Sequence, residues 1–302
     1  QGSPAPALKL SDISGGILGE DSCYCAFSEH RGGLYRLAQK GAVVEAARRE
    51  LRAYDEAHPR APLGIVLYPG AALVVSRLAR ALEREGGHAL LVGAGSAGRR
   101  SLARLAAHVC ELTVVAVEMK PGYSFGLWRE TLKQVVHDVA VRGVRTVLLV
   151  TDSPALPAGL LADLANLCAN ADVQGLYDQD ERHEKLQQLY NLGLELGIPL
   201  RAPELDVGST NDLKLLELFR ARVRQNLRVA FSASLDTLYG RLQQYPGLME
   251  HTTAMWFPGT SDPGACSAIA AHLLGQMGMD EEGIKPATQA VVDIQVASLA
   301  AL

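Results

Sequence analysis

Short, mostly apolar stretches alternate with amphipathic ones through the middle of the chain. Ala89 to Val92 is a continuous apolar run within 88–92, Thr113 to Val117 is a β-branched run within 113–118, and 146–151, 227–232 and 252–256 are further stretches of strand length. They lack the in-out alternation of a half-exposed strand, so they predict strands buried on both faces of a parallel sheet. Between them, residues 101–110, 123–140, 160–168, 211–224 and 234–244 carry apolar positions at helical spacing. Strand and helix alternate three times over 88–170, which predicts one parallel sheet with helices on both faces, right-handed crossovers, and ligands at the C-terminal strand ends. Gly93 and Asp152 are expected beside each other at that edge.

The flanks read differently. Residues 1–30 are rich in Gly, Ser and Pro and predict a linker or extended arm. Residues 34–54, with Leu37, Val43, Val44, Ala47 and Leu51 on one face, predict an amphipathic helix broken by His58-Pro59 and Ala61-Pro62. A second helix over 71–85 ends at Gly86-Gly87. From 173 to 210 the pattern loosens: the charged run 178–185 reads as a solvated helix start, and Pro199, Pro203 and Gly208 as a loop. Beyond Pro258 the chain is helical over 265–277 and 286–301, and it has no internal repeat. The opening Gln1-Gly2-Ser3-Pro4 and the uncapped helical ending are expected to be edges of a longer chain.

The first strand runs into Gly93-Ala94-Gly95-Ser96-Ala97-Gly98-Arg99-Arg100-Ser101, then a helix. Strand, Gly-rich turn, helix is a phosphate-binding arrangement: glycine lets the backbone approach an anion, and the helix start offers unpaired N–H groups. Three readings compete. Gly93-x4-Gly98-Arg99-Arg100 is a departure from the P-loop pattern G-x4-G-K-[ST]. Gly93-x-Gly95-x-x-Gly98 fits a dinucleotide fingerprint. A tight strand-helix turn that binds nothing fits as well.

Composition narrows the field. The chain has 302 residues, 48% hydrophobic and 21% charged, with net charge −4. That is enough for a large core, and no basic face marks a nucleic-acid partner. The cluster Arg99, Arg100, Arg104 suits one phosphate or a solvated helix face. No apolar run reaches membrane-spanning length. The five cysteines are scattered, and Cys23-x-Cys25 lacks the second ligand pair of a zinc site, so a reducing intracellular compartment is expected.

Two acids test the readings. Glu118, 25 residues after Gly93, stands where a dinucleotide fold wants a carboxylate for ribose hydroxyls. Asp152, after Val147-Leu148-Leu149-Val150-Thr151, has the shape of a Walker B terminus that holds Mg²⁺. The alternative for Asp152 is an N-cap of the following helix. Ser153 occupies the position of the water-orienting glutamate and cannot do that work. Arg99 keeps the charge of the P-loop lysine with a bulkier, differently aimed head. Arg100 has no oxygen for a cation, and Ser101 is about 100° further round the helix, so magnesium binding is not expected.

These residues, with four later blocks, resemble the fourth AAA+ module of axonemal dynein heavy chains. The loop and helix from Gly93 to Ala107 are similar to that module's G-V-G-G-S-G-R-Q-S-L-T-R-L-A-A, which also carries Arg for Lys. Glu118-Met-Lys-Pro-Gly-Tyr123 through Lys133 is similar to E-x3-G-Y-x4-F-R-E-x-L-K. Thr146 to Asp152 is similar to T-V-F-L-F-T-D, Arg222 to Leu227 to R-V-R-x-N-L, and Met255-Trp256-Phe257 to D-W-F. The matches keep order over 65–258. The chain departs at Gly95-Ser96-Ala97-Gly98, at Arg100 (Gln in the family), and after Ser234. There it is two residues shorter than S-P-V-G-D-A-F-R-x-R-L-R-x-F-P and has Tyr239 and Gln243 in place of two arginines.

The resemblance implies a P-loop NTPase AAA+ fold: an α/β module with a five-stranded parallel sheet flanked by helices. It implies an arm and helical linker at 1–60, a large subdomain at 61–258 and a helical small subdomain at 259–302. It implies one module of a six-module ring in a microtubule motor of the cytoplasmic cytoskeleton, in a cilium or flagellum axoneme. Neighbouring modules of the same heavy chain and, through the parent motor, the microtubule are the implied partners. The module is expected to regulate or support the ring and not to hydrolyse ATP. ATP or ADP would sit on Gly93, Ala94, Gly95, Ser96, Ala97, Gly98, Arg99, Arg100 and Ser101. Asp152 is the metal candidate, and Arg241 the remaining candidate for an arginine finger.

Overall fold

A computed structural model describes residues 22–27, 36–95, 97–120, 122–154, 156–201, 210–259 and 262–300. They divide into two units, Ala81–Asp262 and the pairing of Gln1–Arg80 with Pro263–Leu302. In the second of these, β1 (Ser22–Cys25) pairs antiparallel with β2 (Arg36–Gln39). Next come α1 (Lys40–Ala57) and most of α2 (Pro69–Glu83), and the unit ends with α10 (Pro263–Gln276) and α11 (Glu281–Ala300). The N-terminal expectation is therefore corrected in two ways. A strand lies inside the stretch read as an arm, and the helix expected from 34 begins at Lys40, after β2.

The unit Ala81–Asp262 is built on five parallel strands: β3 (His88–Gly93), β4 (Thr113–Val117), β5 (Thr146–Thr151), β6 (Leu227–Ala233) and β7 (Thr252–Phe257). Their order is β4-β5-β6-β3-β7. β3 and β6 are buried at every position, β5 at all but its last, and the edge strands β4 and β7 are partly exposed. Burial on both faces explains the apolar runs of β3 and β5. Alternate residues point to opposite sides, so Leu90, Val92, Leu148, Val150, Val229 and Phe231 join a core with four helices. These are α4 (Phe125–Ala140), α5 (Leu160–Asn170), α6 (Gln179–Glu195) and α7 (Thr210–Asn226). Ala89, Leu91, Val147 and Leu149 are buried outside that core. α3 (Arg99–Val109), which directly follows the Gly-rich turn, contacts β3, β4, β5 and β6. Two short helices, α8 (Leu235–Gly240) and α9 (Pro246–Glu250), join β6 to β7.

Three elements depart from expectation. α6 is a full helix where only a helix start was read. The single helix expected over 234–244 is α8 followed by a 3-10 turn, Leu242–Gln244. α11 begins at Glu281, five residues before Pro286, which lies inside it.

Candidate functional site

The Gly-rich turn leaves β3 at its C-terminal end. Gly93 faces the edge strand so closely that a Cβ there would lie 2.3 Å from the Phe257 carbonyl oxygen. Its glycine is required by the packing of β3 on β7. Ala94 and Gly95 are exposed, and nothing lies within 4 Å of where a Cβ on Gly95 would be. The Ala97 N–H donates to the Ala94 carbonyl at 3.2 Å. Ser96 lies outside the described residues. Gly98 has φ 71°, left-handed, and is the N-cap of α3. A side chain there would be strained, and no side chain caps the helix. The first-turn N–H groups of an 11-residue helix thus end on an open glycine turn.

Arg99 does not reach outward. It is buried, and its Nη1 donates to the carbonyl of Ala233, the last residue of β6. Burial pushes its pKa down, and the Asp152 carboxylate counters that. Arg100 is exposed on the outer surface of α3, and Ser101 is half-buried.

Asp152 follows β5 at the same sheet edge, with its N–H donated to the Ser232 carbonyl at 2.8 Å. It is not beside Gly93: β6 lies between β5 and β3, so the two loops are two strand spacings apart, about 10 Å. The carboxylate is already engaged. Its Oδ2 accepts from the Ser234 hydroxyl at 3.0 Å and from the Thr237 hydroxyl. Ser234 is the N-cap of α8, and its Oγ also accepts from the Thr237 N–H at 3.3 Å. Asp152 therefore ties the β5 end to the first turn of α8. The N-cap alternative is corrected too, because the next helix, α5, is capped by Gly159. Sequence reasoning missed Ser234 and Thr237 as partners of Asp152, although a Ser directly before a helical stretch is an N-cap signal.

Arg241 is exposed, and its Nη1 donates to the Ser153 carbonyl at 3.1 Å. Glu118 is exposed and lies 3.5 Å from Lys120. It follows β4, which β5 and β6 separate from the Gly-rich strand. A dinucleotide fold places the acid on the strand adjacent to the glycine turn, so this strand order does not fit that reading. The block around Trp128 and Arg129 is scaffold. The Trp128 indole donates to the buried Asp163 carboxylate at 3.0 Å, and Arg129 Nη2 donates to its other oxygen at 3.1 Å. That joins α4 to α5.

Among the described residues no cluster of three or more His, Cys, Asp or Glu could hold a metal ion, and no helix is long and apolar enough to cross a membrane.

Residues 63–300 match a family model described as the P-loop containing dynein motor region D4. The chain is 29% identical over 206 residues to human dynein axonemal heavy chain 6, which covers 68% of this chain and 5% of that protein. It is 27% identical over 250 residues to the dynein alpha chain of the flagellar outer arm of Chlamydomonas reinhardtii, covering 82% and 5%. To the dynein-1-beta heavy chain of the flagellar inner arm I1 complex of the same alga it is 33% identical over 197 residues, covering 65% and 4%. The chain thus spans about one-twentieth of the length of these relatives.

Proposed function

This chain belongs to the family of P-loop modules of the dynein motor, and from that premise we propose that it acts as a non-hydrolysing AAA+ module at the fourth position of a dynein-like ring. Its role there is to support or regulate the ring. The observation that carries this reading is the double engagement at the sheet edge, Arg99 with Ala233 and Asp152 with Ser234 and Thr237. Water attack on a γ-phosphate needs a metal and an orienting group. Arg100 offers no oxygen, Ser153 stands in the glutamate position, and one Asp152 oxygen is taken. The residues present do not fit Mg²⁺.

They do fit a diphosphate. The left-handed turn at Gly98 and the uncapped start of α3 suit the α- and β-phosphates of ADP without metal. The binding segment is Gly93, Ala94, Gly95, Ser96, Ala97, Gly98, Arg99, Arg100 and Ser101. Arg99 has five N–H donors, so its bond to Ala233 leaves donors for a β-phosphate. Arg241, exposed and with its Nη1 on the Ser153 carbonyl, is the group that would reach a neighbour's nucleotide. The division into 1–60, 61–258 and 259–302 belongs to the same reading. So do covalently linked neighbouring modules, a microtubule reached through the parent motor, and a cilium or flagellum axoneme. The relatives' axonemal and flagellar names support that last point.

A second reading is favoured by the Arg99–Ala233 bond itself: a guanidinium committed to the sheet describes a purely structural module that binds no nucleotide. Phosphate release and ADP calorimetry, each with and without magnesium, separate the cases. We expect no turnover, and ADP binding that does not depend on magnesium. Arg99→Ala should weaken it about 10- to 150-fold, the loss of one charge-assisted contact, and Arg100→Ala should leave it nearly unchanged, because the exposed Arg100 would contribute its backbone N–H and not its side chain. Turnover that requires magnesium and vanishes in Asp152→Ala would overturn the proposal. Absence of ADP binding in the wild type would select the structural reading.

A further inference from the structure

Two residues of the candidate site reach the same short segment from opposite sides. Arg99 Nη1 donates to the Ala233 carbonyl, and Asp152 Oδ2 accepts from the hydroxyls of Ser234 and Thr237. The Ser232 carbonyl, just before them, accepts the Asp152 N–H at 2.8 Å. The junction of β6 with α8 is thus held by the start of α3 on one side and the end of β5 on the other.

What this clasp holds is α8. The helix has six residues, and isolated helices shorter than about a dozen residues are marginal in water. Leu235 and Tyr239 are exposed, and Thr237 is its one buried residue. Packing therefore supplies little of its stability, and its first turn supplies much. There the Thr237 N–H donates to Ser234 Oγ at 3.3 Å, and Asp152 holds both hydroxyls. Segments with few buried contacts open locally at low cost. Arg241 follows directly, and its N–H closes the last turn on the Thr237 carbonyl at 2.9 Å.

A ligand biases such an element only if it binds better to one of its states. Arg99 supplies that difference. With α8 formed, the Ala233 carbonyl fixes the guanidinium, and a fixed fork meets an anion without the cost of ordering it. With the first turn of α8 frayed, Ala233 loosens and Arg99 with it.

We infer that the Gly-rich turn and α8 are coupled. A diphosphate on Arg99 holds α8 formed and Arg241 in place, and a formed α8 tightens the diphosphate. The inference rests on the nucleotide reading of the turn and gives that site a regulatory output at the surface.

Hydrogen–deuterium exchange on the full 302-residue chain, with and without ADP and free of metal, reads residues 99–103 and 235–241 separately. We expect ADP to slow exchange in both segments. Thr237→Val keeps the shape of the side chain and removes its hydroxyl. In that chain ADP should still slow 99–103 and should no longer slow 235–241. Coupling is reciprocal, so the same change should weaken ADP about fivefold or more. Thr237→Ser keeps a hydroxyl and should restore both effects. ADP that slows 99–103 of the wild type and leaves 235–241 unchanged overturns the coupling and leaves the nucleotide reading intact. A Thr237→Val chain in which ADP slows 235–241 as in the wild type does the same. Slowing in neither segment of the wild type overturns the nucleotide reading, and the coupling with it.

Discussion

Asp152 illustrates how far a residue's surroundings decide what it does. Its sequence context, four apolar residues and a Thr before it, is that of a metal-holding carboxylate. In the fold, one oxygen accepts from two hydroxyls of the α8 start. The sequence placed the acid at the right sheet edge and could not say what would meet it there, because Ser234 and Thr237 lie more than 80 residues away. Gly93 was legible as part of a glycine turn, but the further contact that demands it, the Phe257 carbonyl of the neighbouring strand, was not. The Asp152–Thr237 bond makes a prediction at this scale. Asp152→Ala and Thr237→Val should each cost about 1–3 kcal/mol of unfolding free energy, the loss of a partly buried charge-assisted bond. Their double variant should cost less than the sum by about 1 kcal/mol or more, the signature of a shared interaction. Urea unfolding of the four chains measures it, and strictly additive losses would show that the two groups do not interact.

Elements were legible in proportion to their burial. The central strands β3 and β5 stand out because burial on two faces demands nearly continuous apolar sequence. β1 and β2 did not, at four residues each with β2 largely exposed. α6 was under-read because only Leu189 and Gly193 are buried along its 17 residues. Its start was written in the sequence all the same, as the capping box of Asp178 and Glu181. Arg228 was missed altogether, since an arginine inside an apolar run looks like an interruption. It is fully buried near the start of β6, and it joins two helix C-termini. Its Nε donates to the Leu82 carbonyl at the end of α2 at 2.8 Å, and its Nη1 donates to the Arg224 carbonyl near the end of α7 at 3.0 Å. Terminal carbonyls lack intrahelical donors and carry the negative end of the helix dipole, which explains how a guanidinium is tolerated there. Arg228→Lys supplies a point charge and not a fork. We expect it to lower the urea midpoint clearly, by the equivalent of about 1–3 kcal/mol, and Arg228→Met to lower it further. A lysine variant as stable as wild type would refute the fork argument.

At the scale of the whole molecule, strand order is what the linear pattern could not carry. Local sequence sets each strand, but only the assembled sheet puts β6 between the two loops and removes Glu118 from the glycine turn. The same assembly buries His88, and that gives the stability of the protein a pH dependence. The His88 Nδ1 accepts the Val229 N–H at 3.0 Å, so the ring is held neutral at that nitrogen. Burial first, then the nearby Arg228 and His251, lower its pKa from 6.5 to about 4. Between those values the unfolded chain binds a proton that the folded chain does not. Stability must then rise with pH across the window and fall as pH drops from about 6.5 towards 4. The full shift corresponds to about 3 kcal/mol. Carboxylates also titrate in this range, so the informative quantity is a difference. His88→Gln offers a carbonyl to the Val229 N–H and cannot take up a proton. Unfolding free energies measured from pH 7 to pH 4 should fall more steeply for the wild type than for His88→Gln, and the two curves should converge or cross on the acid side. Parallel curves would mean that His88 is protonated in the folded chain as readily as in the unfolded one, which its bond to Val229 does not allow.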